Sequence, residues 1–342
     1  MPFFEASTAN GVWLQSISAA RESPDVPLQN GRGGPTLELL HAMLHVQDSR
    51  ERWITAREPV MSVPFAIVEV IGILNGRRDS GYLNFFNRAL WKYAGSGAEY
   101  HGAYGFRLRM NAGFDQLERA ANALRANSEG RQIVLQIWDP VKDFPANSGE
   151  PAAPDIPCNI CSLLKIRQGK LEWAQIMRSN DIFRGVPYNF VQFMTLQEVI
   201  AGWIGIEPGS YTHYADSLHL YREDAERSNS SNSLPAAKAF DCLTLPMAHS
   251  NKLWREMNRR VDKLVLHESS ESEYKQLAVI ADEPQAYTNL MAIVVADAAR
   301  RRKHPEMAQE LIMLCNNPVL KQLCQRWFER CQSIPLKGLA ST

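Results

Sequence analysis

The chain has 342 residues, of which 45% are hydrophobic, and its 37 Lys and Arg residues balance 37 Asp and Glu residues. This size supports a large hydrophobic core, in one α/β domain or two smaller ones, and the zero net charge excludes a global field that would attract nucleic acid or an anionic membrane. Because the sequence lacks both a long apolar run and the order of a signal peptide, we expect a soluble cytoplasmic protein without membrane or nucleic-acid partners.

The N-terminal third contains two candidate functional residues. Residues 1–35 are polar and rich in Gly, Pro and Asn, and the glycines around Arg32 would let its guanidinium approach an anion closely. An ordinary surface loop is the alternative. Residues 63–75 are apolar almost all round, which predicts a buried helix, and only Glu69 interrupts them. Because a buried unpaired carboxylate is costly, Glu69 faces a polar cavity, is protonated, or forms a salt bridge at the helix end.

The middle of the chain predicts a helix over residues 114–126, a buried strand over 131–138 and then a proline-rich loop that leads to Cys158. Residues 159–167 and 170–178 are strand-like runs joined by Gln168-Gly169, a link that favours a tight hairpin. A regular ladder places Cys158 opposite Ser179 and Asn159 opposite Arg178, whereas a bulge would shift this register by one. A guanidinium near a thiol favours the thiolate, which is the nucleophilic form.

Cys158 and Cys161 also form a Cys-x-x-Cys pair, for which a metal or redox role is an alternative. No second Cys/His pair follows at zinc-site spacing, and two cysteines in a sheet are the simpler interpretation. The six cysteines indicate reduced thiols rather than a disulfide scaffold. We therefore expect no metal site.

The remaining sequence predicts a buried helix over 191–205 and a strand over 211–221, with His219 and Tyr221 on one face of the strand. Residues 228–233 form a low-complexity link. Five helices are predicted beyond it, over residues 250–266, 270–283, 285–302, 305–316 and 318–332. We divide the chain into a catalytic core at 1–235 and a helical extension at 236–342.

Four spaced motifs follow one another in the second half of residues 30–221. They are Pro157-Cys158, Arg178-Ser179-Asn180-Asp181, Gly185-Val186-Pro187-Tyr188-Asn189 and His219-Leu220-Tyr221. With these motifs, the sequence resembles the folate-dependent thymidylate synthase superfamily, which includes pyrimidine-nucleotide hydroxymethylases, over roughly residues 30–221. Glu69, Tyr104-Gly105, Arg131 and Arg32 match this family upstream.

The resemblance implies an α+β fold, a large mixed β-sheet flanked by helices, to which this chain adds an atypical helical C-terminal extension. It also implies a homodimer in which Arg131 reaches the partner's site, with a pyrimidine nucleoside monophosphate and 5,10-methylenetetrahydrofolate as ligands. The implied catalytic residues are Cys158, Glu69, Asn189, Tyr104 and Asp155. The implied nucleotide ligands are Arg32, Arg131, Arg178, Ser179, Asn189, His219 and Tyr221, and the implied folate ligands are Trp91, Asp181, Gly185 and Tyr188.

The chemistry implied by the resemblance is addition of the Cys158 thiolate to C6 of the pyrimidine and transfer of one carbon to C5. The product is methylated or hydroxymethylated, according to whether hydride or water completes the reaction. Asp155 replaces a usually apolar residue, and a wetter, acidic pocket favours water, so we prefer 5-hydroxymethylation to reductive methylation of dUMP. A non-catalytic nucleotide-binding relative is a further alternative. The other departures are Asn159, Gln132, Arg184 and Ser217, and although Asn189 favours uracil, cytosine and ribonucleotide substrates stay open.

Overall fold

The structure is a computed structural model, which describes residues 1–22, 28–31, 33–227 and 241–333. A seven-stranded mixed sheet forms the centre of the molecule. The strand order is β1-β3-β7-β6-β5-β4, and β2 pairs with β3 outside this path. Arg32 and the 228–233 link lie outside the described residues. The strands are β1 Phe3–Ala6, β2 Leu28–Gly31, β3 Gly34–Val46, β4 Ile133–Gln136, β5 Asn159–Arg167, β6 Lys170–Asp181 and β7 Glu207–Tyr221.

Helices cover the sheet and continue to the C-terminal end of the described chain. Together with the sheet they confirm the predicted α+β class. The helices are α1 Ala9–Glu22, α2 Val63–Leu74, α3 Gly81–Phe86, α4 Trp91–Ala94, α5 Tyr104–Arg109, α6 Gln116–Ala126, α7 Pro140–Asp143, α8 Val186–Ile204, α9 Arg222–Arg227, α10 Met247–Leu266, α11 Glu271–Ala278, α12 Gln285–Arg301, α13 Pro305–Met313 and α14 Pro318–Ser333.

The hairpin of β5 and β6 forms as predicted, but its register changes near Cys158. Gln168 and Gly169 both have positive φ, 51° and 72°, as the two central residues of a tight hairpin turn require. The ladder is regular up to Cys161, and a bulge follows between Asn159 and Cys161. The predicted pairing of Asn159 with Arg178 is therefore wrong, since the extra residue in β5 moves Asn159 opposite Met177.

The N-terminal region contains more regular structure than its polar composition suggested. Helix α1 buries one stripe of side chains, including Val12, Trp13 and Ile17, against β3 and α8. The Trp13 indole N–H also donates to the Ile182 carbonyl over 2.8 Å. No helix was predicted over residues 9–22, where an apolar stripe at helical spacing lies within a polar composition.

Two buried helices, α2 and α8, carry the candidate site residues Glu69 and Asn189. Helix α2 begins after Ser62, whose Oγ accepts from the Phe65 N–H, and it carries Glu69 on its last turns. Helix α8 begins at Val186, five residues before the predicted start, with Pro187 in its first turn. Asn189 therefore lies within the first turn of a helix that packs directly against α2.

All five C-terminal helices are present close to their predicted limits. Helix α12 is buried almost all round, and α10, α12 and α14 pack against α2. The side chains of these helices join those around the sheet in one hydrophobic cluster. The division at residue 235 stays a prediction. In the described part of the chain, no helix combines the length and apolar character needed to cross a bilayer.

Candidate active site

Cys158 lies half-buried at the entrance to β5, held beside Arg178 of β6. The Arg178 backbone N–H donates to the Cys158 carbonyl over 2.9 Å, and the guanidinium donates to the carbonyls of Pro157 (2.9 Å) and Ile156 (3.1 Å). One guanidinium nitrogen, Nη2, is 3.9 Å from the Cys158 Sγ. Arg178 thus fixes the backbone before the cysteine and places positive charge beside the thiol, which favours the nucleophilic thiolate.

Tyr104 lies where the predicted acidic and nucleophilic groups converge. Burial raises the pKa of Tyr104 well above its usual range, and negative charge on Cys158, Asp155 and Glu69 raises it further. Asp155 is oriented by the Gly102 N–H, which donates to its Oδ2 over 2.8 Å. Three of the other four predicted catalytic residues therefore lie within electrostatic range of the Tyr104 phenol.

Glu69 carries a buried carboxyl whose pKa is strongly raised. Burial raises the pKa of Glu69 to about 8, against a smaller opposing effect of a hydrogen bond from Gln192. Its Oε2 is buried and has no hydrogen-bond partner among the described residues. Of the sequence alternatives, a helix-end salt bridge is wrong and a protonated carboxyl is the form that the surroundings favour at neutral pH.

Asn189 joins this group through neighbouring amides. Its Oδ1 accepts from the Asn180 side chain over 2.8 Å, and its Nδ2 donates to the Gln192 Oε1 over 3.1 Å. Gln192 in turn bonds Glu69, so the amide expected to read the pyrimidine is connected to the buried carboxyl. Sequence reasoning did not predict Gln192, although its three-residue spacing from Asn189 on a helix was a usable signal.

The predicted sugar and phosphate ligands line the adjacent ends of β6 and β7. Ser179 Oγ lies 3.4 Å from His219 Nδ1, and the His219 and Tyr221 rings meet edge to face with centroids 5.7 Å apart. This confirms that His219 and Tyr221 share a face. A Cβ at Gly33 would lie 3.1 Å from the Tyr221 ring, so the chain beside Arg32 passes closely over it. Arg131 is exposed and makes no ion pair with the described residues.

The predicted folate ligands surround the loop between β6 and α8. Asp181 Oδ1 accepts from the backbone N–H groups of Phe183 and Arg184 (2.7 and 2.8 Å), and burial raises its pKa. A Cβ at Gly185 would lie only 2.7 Å from the Asn180 Nδ2, so this position requires glycine. The Tyr188 hydroxyl accepts from the Ser62 N–H over 3.1 Å.

An aromatic surface lies next to that loop. The side chains of Trp91 and Tyr93 on α4 are each 53% exposed, and the Tyr93 hydroxyl is 3.4 Å from Arg184. Arg184 also pairs with Glu223 and Asp224 of α9 and lies over the Tyr221 ring at 4.6 Å. These contacts of Arg184 were not predicted, because they join segments about 40 and 90 residues apart.

Cys161 lies in β5, three residues after Cys158, and neither cysteine forms a disulfide. Burial raises the pKa of the Cys161 thiol. Among the residues that the structure describes, no group of three or more His, Cys, Asp or Glu side chains could hold a metal ion. Cys158 is thus the better-placed nucleophile of the two, because only it contacts a guanidinium.

Comparisons with known proteins find two similar bacteriophage proteins that carry the same name. A deoxyuridylate hydroxymethyltransferase of Bacillus phage SP01 is 30% identical over 232 residues, which cover 65% of this chain and 59% of that protein. A deoxyuridylate hydroxymethyltransferase of Pseudomonas phage M6 is 35% identical over 161 residues, 46% of this chain and 44% of that protein. The chain thus spans less than two thirds of the length of either relative.

Among solved structures, thymidylate synthase from T4 phage is similar at 22% identity and a TM-score of 0.48, covering 63% of this chain and 77% of that chain. The family model described as thymidylate synthase matches residues 26–278, which is more than half of the chain and extends past β7 through α11. The chain belongs to the thymidylate synthase family.

Proposed function

We propose that this chain transfers one carbon from 5,10-methylenetetrahydrofolate to C5 of a pyrimidine nucleoside monophosphate, with 5-hydroxymethylation as the preferred reaction. The observation that carries this proposal is the position of the Cys158 thiol, 3.9 Å from Arg178 and within electrostatic range of Tyr104, whose pKa Asp155 and Glu69 also raise. A thiolate nucleophile and a carboxyl with a raised pKa around one phenol suit attack on an electron-poor ring that must also be protonated.

The nucleotide would lie across the ends of β5, β6 and β7. Arg178, Ser179 and Arg32, together with Arg131 contributed by the partner subunit, would supply a basic and hydroxyl surface for the 5′-phosphate. His219 and Tyr221 lie on one face of β7 and would hold the sugar 3′-hydroxyl. Asn189 would bind the edge of the base, because an amide both accepts and donates.

The folate ligands fit the group that they would hold. A flat pterin suits the exposed Trp91 surface, and its N–H groups suit the buried carboxyl of Asp181 beside Gly185 and Tyr188. When bound, 5,10-methylenetetrahydrofolate supplies the one-carbon unit. The chain would then position the pyrimidine C5 toward that unit while Cys158 is attached to C6.

Proton transfer falls to Glu69. With its pKa near 8, Glu69 carries its proton at neutral pH and can release it toward the ring, directly or through one water. Tyr104 keeps its own proton, because burial and nearby negative charge both oppose its ionisation. It would therefore act as a hydrogen-bond donor rather than as a base.

The preference for water over hydride rests on Asp155. Its carboxylate lies within electrostatic range of Tyr104 and is oriented by the Gly102 N–H. A carboxylate there can bind a water and accept its proton, whereas an apolar residue would exclude water. The names of the two phage relatives support the same reaction on deoxyuridylate.

A homodimer is part of the proposal. Arg131 is exposed at the start of the β4 edge, which suits a role in the site of a second copy. The sheet surface facing away from α8 is also partly apolar, since Ala174 and Ile176 alternate with the buried Trp173 and Gln175 along β6. A second copy that packed on this surface would bring the corresponding surfaces of the two copies together.

The test is incubation with 5,10-methylenetetrahydrofolate and each of dUMP, UMP, dCMP and CMP, followed by mass measurement of the products. We expect a 5-hydroxymethyl product from dUMP without the absorbance rise of dihydrofolate. Thymidylate together with dihydrofolate would instead support reductive methylation. Nucleotide binding without proton exchange at C5 would support a catalytically silent relative.

A further inference from the structure

A continuous line of buried polar side chains runs from the centre of β7 to α2 through the base-binding amide. Each member contacts the next, and none of the intermediate groups is exposed. In order, the contacts are Tyr211 Oη to His213 Nδ1 (3.0 Å), His213 Nε2 to Asn180 Oδ1 (2.9 Å), Asn180 Nδ2 to Asn189 Oδ1 (2.8 Å), Asn189 Nδ2 to Gln192 Oε1 (3.1 Å), and Gln192 to Glu69.

In each of these hydrogen bonds, the residue nearer Tyr211 along the line donates to the next one. Asn180 donates through Nδ2, so its Oδ1 must accept, and the donor is the Nε2–H of His213. Burial lowers the pKa of His213 to about 3, so the ring is neutral and its Nδ1 accepts from the Tyr211 hydroxyl. One tautomer of His213 therefore sets the orientation of Asn180.

Asn189 receives this orientation from Asn180. Its Oδ1 is engaged by Asn180 and its Nδ2 by Gln192, so turning the amide over would break both hydrogen bonds. An amide oxygen accepts two hydrogen bonds and an amide nitrogen donates two. Asn189 therefore keeps one acceptor position and one N–H, in a fixed arrangement, for a ligand.

Fixed amide orientation distinguishes two kinds of pyrimidine. A 4-oxo base presents the N3–H donor and the O4 acceptor, whereas a 4-amino base presents an N3 acceptor and an N4–H donor. The two edges require opposite orientations of the same amide. A freely turning amide would bind both bases, but one held on both sides binds only one of them well.

We propose that Tyr211, His213 and Asn180 are positioning residues that lock Asn189 in the orientation selecting 4-oxo over 4-amino pyrimidine nucleotides. This inference rests on the proposed function, because it assigns Asn189 to the base. It adds three residues, two of them in β7, to the control of substrate choice. Sequence spacing alone does not link them, since residues 180 and 213 are 33 positions apart, lie on different strands and meet through their side chains.

Equilibrium binding of dUMP and dCMP to the full chain without folate tests this inference. Wild-type protein should prefer dUMP, and His213→Phe should lower the ratio of the two affinities by about tenfold, because the variant lacks the donor that orients Asn180. Phenylalanine keeps the edge-to-face packing that the His213 ring makes with Phe190, at 5.5 Å between centroids.

Tyr211→Phe provides a gentler variant should His213→Phe fail to fold. It frees the His213 tautomer while retaining the ring, and we expect the affinity ratio to fall severalfold. Tyr287→Phe is the matched control, because its buried hydroxyl donates to the Leu243 carbonyl in the helical extension and lies outside the line. This control should leave the ratio unchanged.

The possible failures are distinguishable. A wild-type preference for dUMP that survives His213→Phe or Tyr211→Phe within twofold would overturn the positioning role while leaving the proposed function intact. A wild-type preference for dCMP would also overturn it. Wild-type protein that binds neither nucleotide would contradict the proposed function itself.

Discussion

Burial raises the pKa of Glu69 to about 8, and its Oε2 has no hydrogen-bond partner within the described residues. Because this pKa lies above that of an unfolded glutamate, the native state holds the proton more tightly. The stability that this provides is complete below about pH 4.5 and is lost as the pH rises toward 8. The same proton is the one proposed to serve the reaction.

We therefore predict that Glu69→Gln abolishes turnover and increases the free energy of unfolding at pH 8 by about 1 to 3 kcal/mol. The amide accepts the Gln192 hydrogen bond without a charge to bury. Denaturant unfolding at pH 5 and pH 8 measures the effect, which should be smaller at pH 5. Equal effects at both values would show that Glu69 does not titrate in this range.

Asp155 gives a second prediction at the residue scale. Asp155→Leu should reduce the fraction of hydroxymethyl product by about tenfold, because an apolar side chain removes the group proposed to hold water near C5. Asp155→Asn is the matched control, since it keeps the Gly102 contact and the polarity but cannot accept a proton. Product masses measure both variants. An unchanged product fraction in Asp155→Leu would contradict the assigned role.

At the scale of single elements, the β5 and β6 hairpin shows what the sequence could and could not predict. Gln168-Gly169 between two strand-like runs determined the turn and most of the register. A bulge was left open as an alternative to the regular register, because the sequence of the two strands is compatible with either pairing; the structure has the bulge, between Asn159 and Cys161. The bulge sets the position of Cys158, since with it the Cys158 carbonyl accepts from the Arg178 backbone N–H and the Arg178 guanidinium lies beside the thiol.

Helix α1 was not predicted, and the start of α8 was predicted five residues too late, for different reasons. Polar composition concealed the buried stripe of α1, which becomes apparent only when Val12, Trp13 and Ile17 are placed at helical spacing. Helix α8 begins at Val186, because a proline is tolerated in the first turn of a helix. The prediction began at residue 191, where the apolar run becomes continuous. The earlier start is what puts Asn189 on the helix.

Helix α14 is held against the segment before α2 by Arg326, which donates to the Thr55 carbonyl (2.8 Å) and to the Glu58 carboxylate (2.9 and 3.1 Å). Because the Arg326 side chain is only 17% exposed, Arg326→Ala should lower the free energy of unfolding by about 1 kcal/mol. Thermal or denaturant unfolding measures this loss.

Arg259→Ala is the control for that prediction. Arg259 also makes two hydrogen bonds to one glutamate, Glu256, but its side chain is 73% exposed and both residues lie on α10. Solvent screens such a pair, so no measurable change is expected. Equal losses in the two variants would show that α14 does not depend on the Arg326 contacts.

At the scale of the whole molecule, the spaced motifs predicted the family, because each motif is local and lies on one strand or helix. The sheet brings the guanidinium of Arg178 to Cys158, as expected, and Ser179 to His219. The buried amide line was beyond sequence reasoning, since Asn180, Asn189 and His213 belong to three elements and each is an unremarkable polar residue alone. Its existence depends on how α8 packs across β6 and β7.

Release of tritium from C5 of labelled dUMP, in the presence of 5,10-methylenetetrahydrofolate, tests the central claim most directly. The proposed mechanism predicts release by wild-type protein, no release by Cys158→Ala, and nearly full release by Cys161→Ala, which removes the neighbouring free thiol. Undiminished release by Cys158→Ala would contradict the assignment of Cys158 as the nucleophile.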